Sequence, residues 1–93
     1  MMKVKLVTLD QNGDPTETHE FMTVNEAIAW ATKDRGEPLE EQDCPRGSYV
    51  ELMTAEEADE VEDMGEYPAK YYYVEGIEED GSPRELLKED WGA

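Results

Sequence analysis

One cysteine, one histidine and only 8 lysines and arginines are found among the 93 residues. The lone thiol, Cys44, cannot close an internal disulfide, whereas a secreted domain of this size usually carries several bridges. No stretch approaches the about 20 apolar residues that a membrane-spanning helix needs. Residues 1–5 lead into a short alternating segment rather than the sustained apolar region of a signal peptide. These absences point to a cytoplasmic protein. The scarcity of cations excludes direct binding to nucleic acid or to an anionic membrane, because both select basic surfaces. The length suits one domain, residues 1–93, with a modest core.

Acid is what the chain has in excess. Its 25 Asp and Glu set the net charge at −17, with mean hydropathy −0.84. Solubility asks a magnitude of only about 2 to 8 of a small domain. The acids are also unevenly placed, since twelve of them and a single base fall in residues 37–66.

Periodic apolar segments argue against disorder. Residues 3–9 alternate as a strand, with Val4 and Leu6 on one side and Lys5, Val7 and Leu9 on the other. Turn formers at 11–15 and a Thr-rich segment at 16–22 predict a hairpin. Thr23 and Glu26 then stand at capping-box spacing ahead of Val24, Ala27, Ile28 and Ala31. A first helix follows, with Lys33 and Arg35 in its last turn and Gly36 as its stop. Pro38, Pro45 and Gly47 among four acids read as an exposed loop over 37–47.

Residues 48–53 alternate again as a third strand, Tyr49, Glu51 and Met53 against Val50 and Leu52. Thr54 and Glu57 repeat the capping spacing before a thin stripe of Ala55, Ala58, Val61 and Met64, a second helix ending at Gly65. Residues 71–77 carry the strongest strand signal. Ser82, Pro83 and Glu85, with Leu86, Leu87 and Trp91 behind them, predict a short C-terminal helix. The competing pattern returns residues 84–88 as a strand after the Asp80–Gly81 turn. The expected fold is α+β: a four-stranded, mostly antiparallel sheet in the order ββαβαβ, with two or three helices packed on one face.

Catalytic constellations are not legible. His19 and Cys44 are the only candidates for a base and a nucleophile, and Cys44 has only Arg46 nearby to lower its pKa. Asp10, Asn12, Asp14 and Thr16 alternate like the first ligands of a calcium loop. Gly13, Pro15 and Phe21 occupy the wrong places for one, so a hairpin turn is expected there. No enzyme, cofactor or metal is expected.

The second helix carries the informative pattern. Glu56, Glu57, Asp59, Glu60, Glu62 and Asp63 put six carboxylates on eight residues. That is one charge per roughly 2 Å of helix axis, against one per about 1.7 Å along duplex DNA. Glu56 with Glu60 and Asp59 with Asp63 are repulsive i, i+4 pairs, a cost that mixed charge would avoid. Glu40, Glu41 and Asp43 in the preceding loop extend the field, as does the Glu78, Glu79, Asp80 turn if the fold brings it alongside. Tyrosines anchor interfaces, and Tyr72 points away from Tyr71 and Tyr73, which makes it a further candidate contact.

In charge and size, though not in aligned residues, the chain resembles the small acidic proteins of phages and mobile elements that imitate DNA. The resemblance implies an inhibitor of anti-restriction or anti-CRISPR type, whose partner is a nucleic-acid-binding protein with a Lys/Arg-rich groove. The alternative is a small phage or bacterial adaptor assembling through its sheet edge or exposed tyrosines.

Overall fold

The computed structural model describes residues 3–43 and 49–86. Its elements are β1 (Lys3–Asp10), β2 (Pro15–Phe21), α1 (Val24–Arg35), β3 (Glu40–Asp43), β4 (Tyr49–Met53), α2 (Ala55–Met64), β5 (Lys70–Ile77) and β6 (Pro83–Arg84). The fold is α+β. Among the described residues every strand pairing is antiparallel, in the spatial order β2-β1-β5-β4-β3, with β6 also on β5.

The sheet has more strands than the expected four, for two reasons. Residues 40–43 form an edge strand instead of a loop, with Glu40 opposite Met53 and Asp43 opposite Val50. An edge strand needs one hydrogen-bonded neighbour and no apolar face, so the charged run Glu40–Asp43 carries no strand period and still pairs. Buried Leu39 anchors its start.

Residues 83–84 are strand, which replaces the start of the predicted C-terminal helix. The rest of that helix, including Leu87 and Trp91, lies outside the described residues. The Glu78 amide donates to the Ser82 carbonyl at 2.8 Å, and Gly81 takes φ 89°, so the chain reverses before a helix can start. Gly76 makes room for the return. A Cβ there would stand 3.0 Å from the Arg84 carbonyl oxygen, so the glycine permits β6 to lie against β5.

The helices do not share a face. Val24, Ala27 and Ala31 of α1 are buried against Val4, Leu6, Leu52, Tyr72 and Val74. Ala58 and Val61 of α2 pack instead on Val7, Leu9, Met53 and Tyr71. Successive strand residues point to opposite faces, so these two sets lie on opposite sides of the sheet. The expectation of one helical face is corrected accordingly. Among the described residues no helix is long and apolar enough to cross a membrane.

Candidate interface for a basic partner

Both predicted threonine caps form, but at Thr23 the box is incomplete: Thr23 Oγ1 accepts from the Glu26 amide at 3.1 Å, while the Glu26 carboxylate accepts from the Met22 amide instead of from that of Thr23. Thr54 Oγ1 accepts from the Glu57 amide at 3.2 Å, and Glu57 Oε1 accepts from the Thr54 amide at 3.0 Å, a complete capping box. Glu57 also takes a hydrogen bond from Arg35 Nη2 at 2.9 Å. Burial opposes its ionisation. The Arg35 and Thr54 hydrogen bonds outweigh that and hold the Glu57 carboxyl below the ordinary carboxylate range. Glu57 is therefore a structural acid, and Arg35 bridges further to Glu37 at 3.0 Å and to the Lys70 carbonyl at 2.6 Å.

The other five acids of α2, Glu56, Asp59, Glu60, Glu62 and Asp63, are exposed. Among the described residues no basic side chain is ion-paired with any of them. Glu56, Glu60 and Asp63 recur at i, i+4 and i+7, so they line one side of the helix. No base stands in the last turn of α2, where the helix dipole favours cations and opposes Glu62 and Asp63. The described lysines are engaged elsewhere in several cases: Lys5 with Glu75 at 2.8 Å, Lys70 with Asp34 at 2.6 Å and Lys3 with Glu20 at 3.7 Å.

The fold brings part of the β3 charge to this helix. Glu40, on the edge strand, and Glu56, in the first turn of α2, line one open depression with Glu37. Glu41 is exposed on the same strand, while the side chain of Asp43 lies outside the described residues. The Glu78, Glu79, Asp80 turn is not part of this depression. It lines another with Lys3 and Glu20, beside the start of β1.

Tyr72 is not a surface contact. It is 0% exposed, because α1 covers its face of the sheet, and its hydroxyl donates to Asp34. That carboxyl is held low by hydrogen bonds from Lys70 and Tyr72, while burial and Asp34 push the Tyr72 phenol far up. The aromatic surface lies on the other face. Tyr49 and Tyr73 have ring centroids 5.4 Å apart, and Tyr67 and Tyr71 5.1 Å apart. With Glu51 and Glu75 these four tyrosines line an open groove of about 530 Å³. Sequence reasoning missed it. The available signal was Glu51 between Tyr49 and Met53 at alternate positions, a charge on a side of β4 otherwise aromatic and apolar.

His19 stacks on Trp30 with centroids 4.3 Å apart, while Cys44 lies outside the described residues. The Asp10 carboxylate accepts from the amides of Asn12 at 2.9 Å and Asp14 at 3.0 Å, so it ties its own hairpin turn. Among the described residues no group of three His, Cys, Asp or Glu is placed to hold a metal ion. Compared with known proteins, the chain matches no family model, no curated protein and no solved structure.

Proposed function

We propose that this protein is a non-catalytic binder of a basic protein surface, a DNA mimic that occupies the Lys/Arg-rich groove of a nucleic-acid-binding protein. One observation carries the reading. Five exposed carboxylates of α2 have no basic partner among the described residues, and the depression shared by Glu37, Glu40 and Glu56 joins the helix to the edge strand. A ridge of that charge density repels itself, and a cationic groove relieves the repulsion while steering association. The chain's resemblance in size and charge to anti-restriction and anti-CRISPR proteins supports a partner from phage defence.

The test is capture from host lysate by the immobilised protein at low and then high salt, followed by competition with duplex DNA. The partner should be released by salt and displaced by DNA. The variant Glu56→Gln/Glu60→Gln/Asp63→Asn should stay folded and lose at least ten-fold in affinity. Affinity within two-fold of wild type would move the interface away from α2.

The adaptor alternative rests on the tyrosine groove and on the exposed edge of β3. Under that reading the complex would be indifferent to salt and to the triple change, and sensitive to Tyr67→Ala.

A further inference from the structure

Four acids among the described residues are half-buried as whole residues: Asp10, Glu51, Glu57 and Glu75. Three have their charge answered from within the chain. Asp10 accepts two backbone amides, Glu57 pairs with Arg35, and Glu75 pairs with Lys5. Glu51 alone has neither a hydrogen bond nor an ion pair among the described residues. It stands on β4 directly across from Tyr73, inside the groove that Tyr49, Tyr67 and Tyr71 complete.

We propose that this groove receives an arginine side chain of a partner protein, with the guanidinium against the tyrosine rings and paired to the Glu51 carboxylate. The chemistry of the groove selects that occupant. Tyrosine faces are electron-rich and attract cations, and a planar guanidinium both stacks on a ring and forks onto a carboxylate, which a lysine ammonium cannot do. Glu75, already neutralised by Lys5 at the groove's edge, leaves Glu51 as the anion to be matched. The groove's volume, about 530 Å³, lies in the range of ligand sites and admits the side chain together with its flanking backbone. Burial holds the Glu51 carboxyl above its ordinary value, a penalty that an adjacent cation removes. The Glu51 charge in turn helps to push the Tyr71 phenol up, after burial, which places the two groups within each other's field.

This inference rests on the reading that the partner is basic, but it uses a different surface from the exposed acids of α2. The groove and α2 lie on the same side of the sheet, since Tyr71 and Tyr73 border both. One basic partner can therefore engage the acidic helix with its groove charges and insert a single arginine beside it.

The test is a titration of isotopically labelled protein with the blocked tripeptide Gly-Arg-Gly and with its counterpart carrying citrulline, the neutral isostere. Amide and tyrosine-ring resonances report the site. Saturable shifts centred on residues 49, 51, 71 and 73 are expected with the arginine peptide. Binding should weaken at least five-fold with citrulline, with Glu51→Gln protein and with Tyr73→Leu protein, each checked as folded by circular dichroism. The α2 triple variant should bind the peptide within two-fold of wild type, so a failure of the acidic-helix reading leaves this result separate. Equal binding of the citrulline peptide, Glu51→Gln affinity within two-fold of wild type, or shifts confined to α2 would each overturn the assignment.

Discussion

α1 and α2 start and stop alike, on a threonine cap and on a left-handed glycine, yet they are held to the sheet in different ways. α1 buries Val24, Ala27 and Ala31 completely and closes with Lys33 and Arg35 in its last turn. α2 has no buried residue, leaves Met64 61% exposed and has no base in its last turn. Full burial of a valine contributes about 1.5 to 3 kcal/mol, that of an alanine methyl about 0.8, and a cap about 1. α1 is therefore placed by its face, whereas α2 is placed largely by its ends: the capping box, the Arg35 pair and Gly65. A helix held at its ends leaves its long outer surface without a structural task. That surface is where the unpaired acids lie.

The largest effect that separates the helices should come from charge placed on their inner faces. Ala27→Asp puts a carboxylate at a fully buried position of α1 and should cost about 4 kcal/mol or more, most of the stability of a domain at the low end of the ordinary range of about 5 to 15 kcal/mol. Ala58→Asp, on half-buried α2, should cost about 1 kcal/mol by urea denaturation. Equal losses would show that α2 is as deeply seated as α1.

Next in size is Arg35→Gln, which removes the side chain that links the end of α1 to Glu57 of α2 and to the start of β5. With Arg35 only 13% exposed, a loss of about 2 kcal/mol is expected. The pH profile sharpens the test. The folded-state pKa of Glu57 lies below its unfolded value near 4.5, so its contribution is present above that pH and is lost as the pH falls through the folded value. The acid limb of the stability curve should therefore flatten in Arg35→Gln, and an unchanged limb would remove Arg35 as the cause.

A smaller effect distinguishes the two glycine stops. Gly36 and Gly65 have φ 76° and 69° with open space around them, so alanine at either costs about 1 kcal/mol through backbone conformation alone. Gly36→Ala should lower global stability in full. Gly65→Ala should mainly speed amide exchange over residues 61–65, because α2 can open its end without disturbing the core.

The smallest effect is that of salt. Moderate salt should raise the melting temperature of the wild type by a few degrees by screening self-repulsion, and should raise that of the α2 triple variant by less. A wild-type melting temperature that falls with salt would mean that specific ion pairs, not repulsion, dominate the electrostatics.

Most of the local structure was legible in the chain. The two threonine caps, the glycine stops and the alternation of β1, β4 and β5 act over a few residues, and the tertiary structure leaves them in place. β3 was not legible, because a charged edge strand has no apolar period to read. β6 was obscured by Ser82, Pro83 and Glu85, which resemble a helix start, until Gly76 and the turn at Gly81 drew the segment onto β5. The coverage of both faces was visible in part: β1 is apolar at Val4 and Leu6 and again at Val7 and Leu9, a pattern that a sheet with one solvated face does not need.

The candidate surfaces divide along the same line. The carboxylate ridge of α2 follows from sequence alone, since a 3.6-residue period and a run of acids suffice to line up Glu56, Glu60 and Asp63. Strand alternation likewise put Tyr72 opposite Tyr71 and Tyr73. Which of those faces would be covered depended on the paths of α1 and α2, and these are set by packing between residues far apart in the chain. α1 took the Tyr72 face, so Tyr72 became core, and the groove around Glu51 formed on the side that α2 only partly covers. Periodicity reports how side chains are arranged along one element, while exposure depends on what a second element lays over them, and only the tertiary structure decided that.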